Sequence, residues 1–432
     1  MKRNLILGFV VFLMASSLIY AQSNQSNVNS QGVLNKTTVE QHGNTNMSDV
    51  DQIGLDNKAT VNQKGHLNDV MINQMGDFNK AKATQEANGN MARQTQRGVG
   101  NNAEIDQNGK ENLAVQNQAG SGYGSVRVLF WSVPWPNRGN DAEIIQRGNG
   151  NEAFQVQRGE LNDAFAEQHG KENYVVQHQF GEGNISTVDQ RGKGHEAYEF
   201  QDGKENSSTT TQKGGEGEEE TEAHESYVFQ DGYKNTQVTD QKGNGNDAYT
   251  AQSGKRNSST TNQVGHNVRS YTLQVGEDNE ATTTQAGNGS FSATAQFGDG
   301  NKSTTTQDSK ANESYVLQVG DDNEQITSQT GNSNESWTLQ FGKDNDAYTE
   351  QHGHDGWSGT LQFGDDNDAR TEQRGHLNWS RTMQLGSNNY SFVNQHGAQN
   401  NSVVFQSGIG NSTTVRQNGG SGNGNGHNGG GH

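Results

Sequence analysis

The stretch Gln340-Phe341-Gly342-Lys343-Asp344-Asn345-Asp346-Ala347-Tyr348-Thr349-Glu350-Gln351 holds the fold of this chain in a single unit. Its Gly and Asn mark a reversal, because Gly adopts positive φ freely and Asn visits the left-handed region more readily than most residues. From Asn345 to Gln351 the chain alternates with period two. Asn345, Ala347, Thr349 and Gln351 share one face of a strand, while Asp346 and Glu350 lie on the other. The first face is small or amide-bearing, as a narrow, interdigitated interior requires.

The unit recurs every 11 residues. Gln returns at 41, 52, 63, 74, 85, 96, 107 and 118, then from 146 to 212, and again from 230 to 417, which places 33 Gln in register. Gly stands two positions after 31 of them (Ala87 and Ser309 are the exceptions), and Asn stands five positions after 26. Units this short, carrying Gly and closing on turn residues, leave no room for paired helices. Two strands and two turns make a 22-residue rung. Rungs stacked about 4.8 Å apart set Gln on Gln and Asn on Asn in hydrogen-bonded ladders. The expected fold is therefore all-β: a cross-β, amyloid-like β-solenoid of about 16 rungs, roughly 75–80 Å long.

Composition alone points elsewhere. With 27% hydrophobic residues and 56 Gly in 432 residues, no conventional core can be filled, and without the period the chain would read as a disordered polymer. The net charge of −19 argues against nucleic acid as partner. No cysteine is present, which removes disulfides, thiolate metal sites and cysteine nucleophiles. At the N-terminus, Lys2 and Arg3 precede an apolar run from Leu5 to Leu18, and Ala21 offers a cleavage site before Gln22. Residues 1–21 thus read as a secretory signal and the mature chain as secreted.

The remaining layout is a short N-terminal segment over 22–30, repeats over 31–417, and a flexible Gly/Asn-rich tail over 418–432. Two insertions interrupt the repeats. Residues 121–139 are apolar and carry both prolines, Pro134 and Pro136, with Trp131 and Trp135, so this loop bulges from the column. Residues 214–225 form an acidic loop around Glu216 and Glu218 to Glu220. The parity of the strands is kept across both. The tail offers no cap for the last rung, and an uncapped solenoid favours end-to-end polymerisation.

Alternate units expose different surfaces. Steps of 22 align Tyr227, Tyr249, Tyr271, Ala293, Tyr315 and Trp337, with Phe229, Leu273, Leu317 and Leu339 two residues on, and Val275, Phe297, Phe341 and Phe363 beyond. The intervening strands show Thr282, Thr284, Thr304 and Thr306, or Asp346, Glu350, Arg370 and Glu372. One sheet is apolar outside and the other polar. The apolar stripe is longer than soluble monomers usually leave bare, which suits ring stacking, lateral packing or surface attachment. At one corner Glu277, Asp299, Asp321 and Asp365 share a column broken by Lys343, beside Asp278, Asp322, Asp344 and Asp366. Stacked carboxylates repel one another and would slow premature assembly; they lack the glycine–aspartate pattern of calcium-binding β-rolls.

The pattern resembles the curlin repeat of bacterial curli fibre subunits over about residues 31–417. Gln146-Arg147-Gly148-Asn149-Gly150-Asn151-Glu152-Ala153 and the run from Gln340 to Ala347 carry the likeness best. The chain differs in having many more repeats than a typical curli subunit, and in its insertions. The resemblance implies a self-assembling extracellular amyloid fibre, or pilus-like homopolymer, of the biofilm matrix. It also implies export through an outer-membrane channel and nucleation by a partner subunit. No catalytic, cofactor-binding or metal-ligating residue stands out, since His42, His169, His352 and His396 occur at repeat positions. The rival reading is a monomeric solenoid adhesin that binds a surface or glycan through its aromatic face.

Overall fold

The structure, a computed structural model, describes residues 23–120, 139–214 and 223–419. The stretch expected to be a signal (1–21), the tail from 420 onward and the bodies of both insertions (121–138 and 215–222) lie outside the described residues. Within them the chain is a β-solenoid of 34 strands, from β1 (Gln25–Val33) to β34 (Ser412–Asn418). Odd and even strands form two parallel 17-stranded sheets. Each strand pairs with the strand two places on at an offset of one rung, as when Ala347 and Gln351 align with Ala369 and Gln373. The column begins earlier than residue 31. β1 lies mostly within the stretch assigned to a lead-in, with Ser30 in the Gln position opposite Gln52, which brings the stack to about 17 rungs.

Neither insertion disturbs parity. β8 (Asn102–Lys110) pairs with β10 (Asp141–Asn149), setting Gln107 against Gln146, and β9 (Leu113–Ala119) pairs with β11 (Glu152–Glu160). At the second insertion, β15 (Glu196–Lys204) pairs with β17 (Glu225–Tyr233).

The reversal is built differently from the sequence expectation in one respect. Two residues take positive φ: the Gly, as at Gly342 (φ 125°), and the residue just before the Asn, as at Asp344 (φ 53°). The Asn itself does not. Its amide is needed in the ladder, so the left-handed position falls one residue earlier and admits even Leu67 and Phe78.

The interior changes character along the column. A continuous aliphatic cluster runs from Val50 to Ala197 and includes Val61, Ile72, Ile105, Ile144 and Val188. Beyond it the corresponding inward positions are largely hydroxyl-bearing, among them Thr261, Ser292, Thr305, Thr338 and Thr360, all buried. Several of these hydroxyls, including those of Ser270, Ser292, Thr338 and Thr360, have no hydrogen-bond partner among the described protein groups.

Candidate functional site

The buried amides form the first functional feature. Gln340 Nε2 donates to Gln362 Oε1 of the next rung at 3.0 Å and, across the interior, to the carbonyl oxygen of Glu324 at 2.8 Å. Asn345 donates both its backbone N–H (3.2 Å) and its Nδ2 (2.9 Å) to Asn323 Oδ1, and its Nδ2 also reaches the carbonyl of Gly364 at 2.7 Å. Every amide thus ties its rung to the next, and buried polar groups are affordable only because they are matched in this way. The ladders have a direction. Gln donors point toward the C-terminal end of the column, and Asn oxygens accept from that same side.

One Asn ladder is unbroken from Asn35 to Asn411. The other contains His195, His224, Val268, Ser290 and Gly356 in place of Asn. The two His rings are buried and stack 4.8 Å apart. His195 Nδ1 accepts the backbone N–H of His224 at 3.1 Å, and His224 Nδ1 accepts that of Asn246 at 3.1 Å. Each Nε2 lies 3.1 Å from a backbone carbonyl, of Arg191 and Lys213 respectively. These partners require the neutral ring with its proton on Nε2, so each His reproduces the bonds of an Asn. Burial, with His224 adjacent, pushes His195 down to about 4, and burial lowers His224 as well. Close by, Glu199 is fully buried and takes the place of a ladder Gln beside Gln177. Burial pushes its carboxyl up to about 7, tempered by the hydroxyls of Ser186, Thr210 and Ser208.

The second feature is the outer face of the odd sheet. The tyrosine column proves longer than the sequence column suggested, because residues two positions earlier fill its gaps. Phe154, Tyr174, Tyr198 and Tyr227 follow one another at centroid spacings of 5.7, 5.5 and 4.7 Å. Tyr249 and Tyr271 continue the stack at 4.9 and 4.8 Å. Phe291 then swings in where Ala293 leaves a vacancy, 5.6 Å from Tyr271 and 5.4 Å from Tyr315, and Trp337 stacks on Tyr315 at 4.2 Å. Trp357 lies over Gly359, where a Cβ would meet its ring at 2.3 Å, and stacks on Trp379 at 5.0 Å. The missed signal was an aromatic residue two positions before each small one. From Tyr198 to Tyr271 the rings are nearly parallel, so their faces are turned toward one another and their edges toward solvent.

Elsewhere the surface groups are tied. In the acidic corner Lys255 reaches Glu277 at 2.7 Å and Arg256 reaches Asp278 at 2.6 Å, and these bonds hold both carboxyls below the usual range. Asp299 and Asp365 accept backbone N–H groups of Glu277 and Lys343 at 2.9 and 3.1 Å. Cations and backbone donors thus bind much of the column that the sequence suggested was governed by repulsion. His42, His169 and His352 each sit beside a Glu two residues earlier, at 2.8, 2.7 and 2.6 Å. Among the described residues no group of three or more His, Asp or Glu is arranged to hold a metal ion.

Residues 35–65, 68–98, 138–170 and 364–397 match the family model of the curlin associated repeat. No curated protein matches the chain. The described residues of the unmatched stretch between 171 and 363 continue the strands and the main Gln ladders in register, and all five departures from Asn fall within it.

Proposed function

The chain belongs to the curlin-repeat family, and from that premise we propose that it is a structural subunit of a secreted, curli-like amyloid fibre that assembles end to end. The observation that carries this reading is the complementarity of the two ends of the described column. At the β34 end, Gln417 accepts from Gln395, and among the described residues no further rung takes its ladder donor or donates to Asn411 Oδ1. At the opposite end, Gln41 donates to Gln63, but among the described residues its own Oε1 receives no ladder donor and Asn35 lacks the bond to a preceding Asn that Asn57 makes. Donors at one end match acceptors at the other. Joining β33 (Asn401–Ile409) and β34 to β1 and β2 (Lys36–Asn44) of a second copy would continue the Asn ladders and the Gln ladder of the even sheet, while Gln406 would meet Ser30 on the odd sheet. Such a contact is head-to-tail and does not close, so it propagates as a filament.

Secretion, a place in the biofilm matrix, an outer-membrane export channel and a nucleating partner subunit belong to the same proposal by family likeness. The glycan-binding alternative is less well supported over the stretch from Tyr198 to Tyr271, where the stacked rings turn their faces to one another and present edges outward. Electron microscopy and fibre diffraction of the chain lacking residues 1–21 provide the test. Unbranched fibres with a meridional spacing of about 4.8 Å are expected. A chain that stays monomeric at high concentration would sink the proposal.

A further inference from the structure

Between the aromatic track and the next outward column of the odd sheet runs an apolar groove. One wall is the line of Tyr227, Tyr249 and Tyr271, and the other is formed by Phe229, Leu273 and Leu317. The groove extends from Val176 and His178 to Trp337 and Leu339, eight strands and roughly 34 Å at the strand spacing. Tyr271 is 40% exposed, Phe229 46% and Trp337 39%, so the walls stand open to solvent.

Beyond the tyrosine wall lies a line of carboxylates: Glu196, Glu225 and Asp247, then Glu313 and Glu335. Their register alternates with the rings, which are bound to them. Tyr198 Oη donates to Glu196 at 3.0 Å, Tyr315 Oη to Glu313 at 2.7 Å, and Trp337 Nε1 to Glu335. Within this line the only cation is Arg269, paired with Asp247 at 3.3 Å. On the far side, Asp202 and Asp231 stand in register next to Phe200 and Phe229. The result is an elongated apolar slot under a negative rim.

We propose that this groove binds elongated cationic amphiphiles: the apolar body lies along the slot, and an ammonium head group rests beside one of two neighbouring carboxylate pairs, Glu196 with Glu225 or Glu313 with Glu335. The same rim opposes face-to-face packing of two copies wherever its two acidic stretches, Glu196 to Asp247 and Glu313 to Glu335, would meet like charges. The site belongs to the single solenoid and does not depend on end-to-end assembly, so it is tested on the dispersed chain.

The experiment is equilibrium dialysis of the mature chain, at low protein concentration and below the surfactants' micelle concentrations, against dodecyltrimethylammonium and dodecyl sulfate. The cationic probe is expected to bind about tenfold more tightly at low salt, with the gap closing as salt is raised. Glu313→Gln with Glu335→Gln should weaken only the cationic probe, by about threefold. Leu317→Ser with Leu339→Ser, outward changes that leave the interior ladders intact, should weaken both probes while the strand signal in circular dichroism is unchanged. Equal binding of the two probes would overturn the proposal. So would binding indifferent to the Leu changes, or lateral self-association of copies that displaces the cationic probe.

Discussion

At the scale of the residue, the reversal glycine is the least replaceable position. A Cβ at Gly342 would lie 2.1 Å from the carbonyl oxygen of Gly364 in the next rung, at φ 125°. Gly342→Ala should therefore cost roughly 2–4 kcal/mol, read from thermal melting, since neither the backbone nor the stacked carbonyl can yield. Ala87 survives at the equivalent place with φ drawn back to 75°. Ala87→Gly should raise stability by about 1 kcal/mol. The buried ionisable groups set a pH window. Glu199, raised from 4.5 to about 7, contributes fully below 4.5 and loses that contribution as pH rises through 7. His195, lowered from 6.5 to about 4, contributes fully above 6.5 and loses that contribution as pH falls toward 4. Stability should peak between those limits. Melting temperatures across pH should lose their alkaline decline in Glu199→Gln, and their acid decline in His195→Asn with His224→Asn. An unchanged profile in either variant would refute the corresponding assignment.

At the scale of the element, strand identity depends less on propensity than on what each face meets. The inward Gln and Asn are tolerated because neighbouring strands repeat them in register, which isolated strands cannot offer. The outward rings depend on their neighbours in the same way. Phe291 bridges Tyr271 and Tyr315 past Ala293. Phe291→Ala should break the track and cost about 1 kcal/mol beyond the lost burial, and adding Ala293→Tyr should restore it. Near-ultraviolet circular dichroism of the stacked tyrosines, together with melting temperature, reports both steps. If the second change fails to rescue the first, the rings contribute area alone and not a continuous stack.

At the scale of the molecule, the interior changes from aliphatic to hydroxyl-bearing along the column and the exterior gains aromatic rings. The N-terminal part has an aliphatic interior, and its odd sheet shows Asn29, Asp49 and Asp51 outward beside exposed Met47, Ile53, Met71 and Met75. The C-terminal part has a hydroxyl interior and an aromatic exterior. The change falls close to Glu199 and the His195–His224 pair. Because two units make a rung, deletions should obey parity. Removal of residues 280–301, one full rung, should leave a melting temperature close to the parent's and shorten the column by about 4.8 Å in small-angle scattering. Removal of 280–290, half a rung, should shift every downstream strand to the opposite sheet and split the aromatic track between two faces. Its melting temperature should fall well below that of the longer deletion. Equal stability of the two would mean that the outer faces contribute nothing.

The 11-residue period, the two-strand rung and the polarity of the two sheets were legible in the sequence. Each depends on a residue's own conformational preference or on which face of a strand it occupies, and these are local properties repeated many times. The start of the column was not legible, because Ser30 replaces the Gln that marks every later unit, and only its pairing with Gln52 reveals it. The left-handed residue before each Asn was missed for a related reason: the Asn amide is committed to the rung below, a contact 22 positions away. That His195 and His224 stand in for Asn follows only from their ring nitrogens, which make the bonds of Asn in the folded column. The continuity of the aromatic track and the acidic rim beside it likewise belong to the tertiary structure. A ring fills a neighbour's vacancy by reaching across the sheet, and sequence columns record positions but not reach.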